Sequence, residues 1–152
     1  MTYSIDVNRA QIRQKTLKGE NIEGAFLVHT VGHADYRPET VGDRLNDPQT
    51  RFLPCDVGGE RQLVRLSSIS YVAMTEPTPE VEDLEAVGAI RASAELWLRS
   101  GDRLAGDLLY EAERGEERIS DMLNRSRSRF LVLVDQETTY FVHCDAIDRV
   151  KL

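Results

Sequence analysis

The sequence predicts an all-β protein with a minor α component, built as two tandem five-stranded small β-barrels joined by a short acidic linker or helix. Three observations predict it. One stretch occurs twice: residues 43–53 read DRLNDPQTRFL and residues 121–131 read DMLNRSRSRFL. The 78-residue register then holds without a gap through Val64/Val142, Ile69/Ile147, Val72/Val150 and Met74/Leu152, while Gly19, Ile22, Gly24 and Phe26 match Gly101, Leu104, Gly106 and Leu108 at an offset of 82. Finally, each copy offers about five short apolar runs and no stretch for a covering helix layer, and short strands resolve their open edges by curling into a barrel. The copies are residues 1–74 and 94–152, with residues 75–93 between them. Units this small bury only ~60% of their chain surface, so the two are expected to pack on each other or on other chains.

The elements follow in order. Tyr3, Ile5 and Val7 alternate with polar residues, giving an extended start, and a first strand is expected near residues 11–17. Gly19-Glu20-Asn21 turns the chain. Residues 22–30 make a strand with Gly24 inside it, the mark of a bend, a bulge or a close backbone approach. Residues 31–42 form a loop rich in Gly and Pro. Residues 51–57 are a strand that Pro54 places at an edge or bulge. Gly58-Gly59 is a tight hairpin turn, and residues 61–67 and 69–74 are the last strands of the copy. Thr78, Pro79 and the acids after them read as a helix cap, a first-turn proline and charge complementary to the dipole. Val81, Leu84 and Val87 give a short apolar stripe that Gly88 stops. The second copy runs through strands at 94–99, 103–110 (bent at Gly106) and 129–135, then TTYFVHC and IDRVKL.

Charge limits the function. The net charge of −7 is uneven: residues 1–74 sum to zero, residues 75–93 to −4 and residues 94–152 to −3. Nearly balanced barrels argue against a strong general nucleic-acid binder. No apolar run approaches the ~20 residues of a membrane span, and no basic stretch followed by an apolar one opens the chain. Cys55 and Cys144 occupy non-equivalent positions, which suits small buried thiols in a reducing compartment. A cytoplasmic protein without membrane contact is the expectation.

The doubled motif has a structural explanation. Asp43 and Asp121 are expected to accept backbone N–H groups and nucleate one helical turn. Leu45 and Leu123 anchor that turn in the core. Asn46 and Asn124 end it in the left-handed region, and the chain re-enters as a strand at Phe52 and Phe130. Phe52, Phe130, Leu45, Leu123, Ile69 and Ile147 are therefore expected to be buried at matching positions. In the functional alternative, Asn46 and Asn124 present their amides to a ligand.

The pattern G-x-x-hydrophobic-x-G-x-hydrophobic, then Asp shortly before Asn, resembles the first signature of the Sm-like (LSm and Hfq-type) small barrels. Gly19, Ile22, Gly24 and Phe26 carry it in one copy, and Gly101, Leu104, Gly106 and Leu108 in the other. Arg65 to Ile69 is similar in spacing to the second signature, with Leu66 where that signature has Gly; His143, Cys144 and Ile147 stand at the same places in the second copy. Four residues separate each Asn from its Arg-Phe, where the family has none, and the loop before the Asp is longer. The resemblance implies a barrel fold, and it implies a uridine pocket made by Asn46 with Arg65 and by Asn124 with His143.

Arg125, Arg127 and Arg129 alternate, which puts all three on one face of an extended segment and, with Arg114 and Arg118, makes a candidate phosphate patch. Glu111, Glu113, Glu116 and Glu117 offset it. His29, His33 and Asp35 in the first loop are the weak metal candidates, and Val31-Gly32 opposes the helix that would converge them. No Ser/His/Asp or Cys/His arrangement recurs. The expectation is a non-catalytic binding or scaffold protein that self-associates as a dimer or trimer, or that binds another protein, with no cofactor and no metal. An RNA-binding Sm-like protein is the alternative, and a metal-dependent enzyme a distant third.

Overall fold

The computed structural model describes residues 7–29, 39–75, 78–112 and 118–152. The protein is mostly β, with ten antiparallel strands and three short helices among these residues. In chain order they are β1 (Val7–Thr16), β2 (Asn21–His29), α1 (Val41–Asn46), β3 (Phe52–Val57), β4 (Glu60–Arg65), β5 (Ile69–Met74), α2 (Pro79–Ala86), β6 (Ile90–Leu98), β7 (Arg103–Tyr110), α3 (Ile119–Arg125), β8 (Phe130–Asp135), β9 (Thr138–His143) and β10 (Ile147–Lys151). Short 3-10 turns at Leu66–Ser68 and Cys144–Ala146 lead into β5 and β10.

All ten strands join one open sheet in the order β10-β6-β7-β8-β9-β5-β1-β2-β3-β4. The ladder runs without a break through both halves of the chain. The halves follow the same rule: each places its fifth strand beside its first, then its second, third and fourth. They meet where β5 pairs antiparallel with β9, Tyr71 opposite Val142 through Met74 opposite Thr139. β4 and β10 are left at the two ends of the sheet.

Two apolar cores form, and each crosses the junction. The first gathers Ile12, Phe26, Leu45, Leu53 and Ile69 and takes Phe130 and Phe141 from the second half. The second gathers Leu96, Leu104, Leu108 and Leu133 and takes Tyr71 and Ala73 from the first. Exchange of core residues makes the halves interdependent, as the small size of each requires.

Gly24 and Gly106 sit at the close approaches that bend the long strands. A Cβ on Gly24 would collide with the carbonyl oxygen of Asp56 on β3, and one on Gly106 with that of Val134 on β8. Gly58 and Gly59 both have positive φ, +55° and +83°, which builds the two-residue hairpin turn between β3 and β4.

The helix details correct several expectations. Helix α1 begins before Asp43. Thr40 is the N-cap, its hydroxyl accepting from Asp43 N at 3.1 Å, while the Asp43 carboxylate accepts from Thr40 N at 3.1 Å. Asp43 therefore closes a capping box from the third helical position instead of nucleating the turn. Asp121 has no such partner, because the N-cap of α3 is Arg118, which makes no side-chain cap bond. Gln136 is the only non-glycine residue with positive φ among the described residues, so Asn46 and Asn124 do not end their helices in the left-handed region.

In the linker, α2 begins at Pro79 as expected, but the Thr78 hydroxyl makes no capping bond. Its Glu80 instead accepts from Gly42 N at 2.8 Å, fastening α2 to the start of α1. Strand β6 starts at Ile90, inside the expected linker, and Arg91 ties it to Glu85 of α2 and Asp107 of β7 at 3.0 Å each.

Burial departs from the matching pattern as well. Leu45, Ile69 and Phe130 are buried, but Phe52 is exposed and Leu123 and Ile147 are only half-buried. In α3 the buried anchor is Met122. Phe52 is exposed because β3 lies beside the end strand β4, whereas β8, which carries Phe130, lies beside the junction strand β9.

Candidate functional site

The motif residues of the two halves meet at the junction. Asn46, the last residue of α1, reaches the first residue of β8. Its Nδ2 donates to Phe130 O at 3.2 Å and its Oδ1 accepts from Phe130 N at 2.8 Å. The amide thus satisfies both polar groups of a strand end whose neighbours are buried, where an unpaired group is costly. Arg129 adds two bonds in the other direction, Nη1 to Thr50 O at 2.9 Å and Nη2 to Asp47 O at 3.3 Å. The Asp47 carboxylate is held below the usual carboxylate range by a bond from Gln49 N, with help from Thr50, Arg44 and Arg129 against some desolvation.

On the far side of Phe130 its ring meets the His143 ring edge-on at 4.9 Å. His143 is buried, and its Nδ1 accepts from Asp145 N at 3.0 Å. That bond requires an unprotonated Nδ1. Burial lowers the pKa of His143, with Asp145 opposing the shift and Arg129 adding to it. Burial pushes the Cys144 thiol beside it up to about 11.

The sequence-predicted pairs are arranged differently from expectation. Asn46 and His143 flank Phe130, one from each half. Arg65 stacks on Phe52, 4.7 Å above the ring, at the outer end of the sheet. Asn124 is exposed on α3. No hydrogen bond joins Asn46 to Arg65 or Asn124 to His143 among the described residues. Arg129 turns into the junction, so Arg125, Arg127 and Arg129 do not share one face: Arg125 and Arg127 line an open cleft of about 1500 Å³, and Arg129 does not.

That cleft is lined from α1, α2 and α3 and by residues 126–128, together with Phe130 and Phe141. Its walls are of mixed sign. Asp43, Asp47, Glu80, Asp83 and Glu111 line it together with Arg125 and Arg127. Arg114, His33 and Asp35 lie outside the described residues, as does the His29 side chain. Among the described residues no group of three His, Cys, Asp or Glu could hold a metal ion, and no helix is long and apolar enough to cross a membrane.

Sequence reasoning missed the contrast between equivalent strands. Strand β5 is buried along its whole length, while its counterpart β10 is exposed or half-buried throughout. Likewise β9 has four buried residues, and its counterpart β4 has none. The only signal lay in the strand order of the halves, which a sequence pattern does not carry. No protein-family model matches the chain, and comparison with curated proteins and with solved structures gives no match.

Proposed function

We propose that the chain is a non-catalytic binding or scaffold protein of two Sm-like barrel units that self-associates. One observation supports this reading above the rest. The sheet ends in β4 and β10, each paired on one side alone among the described residues, and both ends expose large apolar side chains, Leu63 and Phe52 at one and Leu152 at the other. Natural proteins shield open edges or pair them. Closed symmetric assembly of two or three chains pairs both edges of every copy. Light scattering on the wild-type chain at tens of micromolar is expected to give a multiple of 17.2 kDa; a clean monomer contradicts self-association.

RNA binding is the second reading, favoured by Arg125 and Arg127 in the cleft. Against it stand the five acidic residues that line the same cleft and the use of Asn46 and Arg129 in backbone bonds within the chain. Fluorescence anisotropy with uridine-rich RNA is expected to show no binding at physiological salt, and the purified protein is expected to carry no excess absorbance at 260 nm. Tight binding that weakens steeply with salt, and that weakens further in Arg125→Ala or Asn124→Ala, would replace the scaffold reading.

A further inference from the structure

We propose that the outer face of β6, with its flanking strands β7 and β10, is a docking surface for an acidic segment of a partner protein, whose carboxylate or phosphoryl groups Arg103 and Arg149 hold. This names a partner class for the binding reading and rests on that reading; it does not depend on self-association. The alternation of β6 builds the surface. Ala94, Leu96 and Leu98 are buried in the second core, so Ser93, Glu95 and Trp97 stand on the opposite face. The ladder then sets Arg103 of β7 opposite Trp97 on one flank and Arg149 of β10 opposite it on the other.

Both guanidinium groups lie over the Trp97 ring. Arg103 Cζ is 4.0 Å from the ring centroid and Arg149 Cζ is 3.6 Å from it. One cation on an indole ring is a stabilising contact. A second on the same ring brings two like charges close together, a repulsion that a single cation avoids. The arrangement belongs to the second half alone. At the equivalent places the first half has Lys15, Asn21 and Tyr71, so the strand plan that the halves share does not require the trio.

The donors of these two arginines are uncommitted. Among the described residues neither guanidinium makes a hydrogen bond or an ion pair. The nearby acids are engaged elsewhere. Asp148 faces Arg99 at 3.8 Å, and Glu95 stands opposite Lys151 in the ladder. Asp102 takes Ser100 and Lys15, and Asp107 takes Arg91 and Ser93. The Trp97 indole N–H is buried without a hydrogen-bond partner. Three donor groups thus gather at one place with no acceptor among them. Arg103 and Arg149 are also exposed, and each guanidinium offers a fork of N–H groups that matches a carboxylate or a phosphoryl group.

The surface suits an acidic protein segment better than a nucleic acid. Single strands bind by stacking bases on open aromatic faces along a continuous basic groove. The Trp97 ring already carries two arginines. Glu95 and Asp148 interrupt the basic run of Arg99, Arg103, Arg149 and Lys151. The chain as a whole carries a net charge of −7, which repels a long polyanion. A short segment with one or two anionic side chains meets the two arginines and avoids the acids.

Trp97 is the single tryptophan of the chain, so its emission reports on this surface. The probes are a glutamate-rich peptide, the same peptide with phosphoserine or with glutamine in place of glutamate, and a uridine-rich RNA. The glutamate or the phosphoserine peptide is expected to bind the full chain in fluorescence anisotropy and, unlabelled, to change the Trp97 emission. The glutamine peptide is expected to do neither, and the tighter of the two anionic peptides identifies the oxyanion. Arg103→Gln and Arg149→Gln are each expected to weaken binding about tenfold. Arg103→Lys keeps the charge, lacks the fork and is expected to bind as weakly as Arg103→Gln. Lys18→Gln, an equal charge change at an exposed place on the β1–β2 turn, is expected to leave binding unchanged. Circular dichroism of every variant is expected to match the wild-type chain. Failure of both anionic peptides to bind at millimolar concentration, equal weakening by Lys18→Gln, or tighter binding of the RNA through the same two arginines overturns the proposal. A multimer that binds neither peptide removes this surface while the scaffold reading stands; a monomer that binds one supports the surface and removes self-association.

Discussion

The side-chain amide of Asn46 meets both polar groups of one residue, the N–H and C=O of Phe130, 84 positions along the chain. Its removal leaves a strand end unsatisfied at the junction of the two cores. Asn46→Ala is therefore expected to cost about 1–3 kcal/mol, read by chemical denaturation, while Asn124→Ala in dilute monomer stays within about 0.5 kcal/mol. Equal losses would show that the clamp does not distinguish junction from free end. Among the core anchors, Met122→Ala is expected to cost ~2–5 kcal/mol and Leu123→Ala clearly less, since Met122 is the buried member of the pair. His143 supplies a pH dependence. Its pKa is depressed in the folded chain by burial, so below its unfolded value the unfolded chain binds a proton that the folded chain does not. Stability is then fully present above about pH 6.5, and it declines as the pH falls toward the lowered folded value. His143→Phe is expected to flatten that part of the stability profile; an unchanged profile would assign the dependence to the carboxylates. The Cys144 thiol, pushed up to about 11, and the buried Cys55 are expected to react slowly with a thiol reagent at neutral pH until the chain unfolds.

At the scale of elements, the long strands β2 and β7 each bend over a glycine that the next strand crowds. Gly24→Ala and Gly106→Ala both place a methyl group against a backbone carbonyl that belongs to a hydrogen-bonded ladder. Each is expected to lower stability by about 1–3 kcal/mol, measurable as a lower melting temperature, and a neutral effect in either would mean that the sheet can open there. These glycines were legible in the sequence because a glycine inside an apolar strand has few other uses. The start of α2 was legible from Thr78-Pro79 and its stop from Gly88. The start of β6 was not, since Ile90-Arg91-Ala92-Ser93 is a weak apolar run, and Arg91 gains its place only through Glu85 and Asp107. The capping box of α1 was missed because its Thr40 lies ahead of the doubled stretch and has no counterpart in the second half, where Arg118 stands.

For the whole molecule, the register between the halves was legible from the sequence and the environment of each copy was not. Phe52 and Phe130 occupy equivalent places in the doubled stretch, yet one is exposed and the other is packed into a core. The difference lies in strand order: β8 follows the junction, and β3 lies next to the end strand. The same reason separates Leu63 from Phe141, and it takes Asn46 and Arg129 into backbone bonds that only tertiary folding brings together. In the self-association reading proposed above, this open sheet is a unit that a second copy completes.

Hydrogen–deuterium exchange at the two end strands, compared between the wild-type chain and Leu63→Arg, tests that claim most directly. Amides of residues 61–64 and 149–151 are expected to exchange slowly in wild-type protein at tens of micromolar, and fast in the variant and on dilution. Amides of β5 and β9 are expected to stay protected throughout. Fast exchange in β4 and β10 at every concentration, with β5 and β9 protected, would contradict the account, because the end strands would then be free edges that no second copy covers.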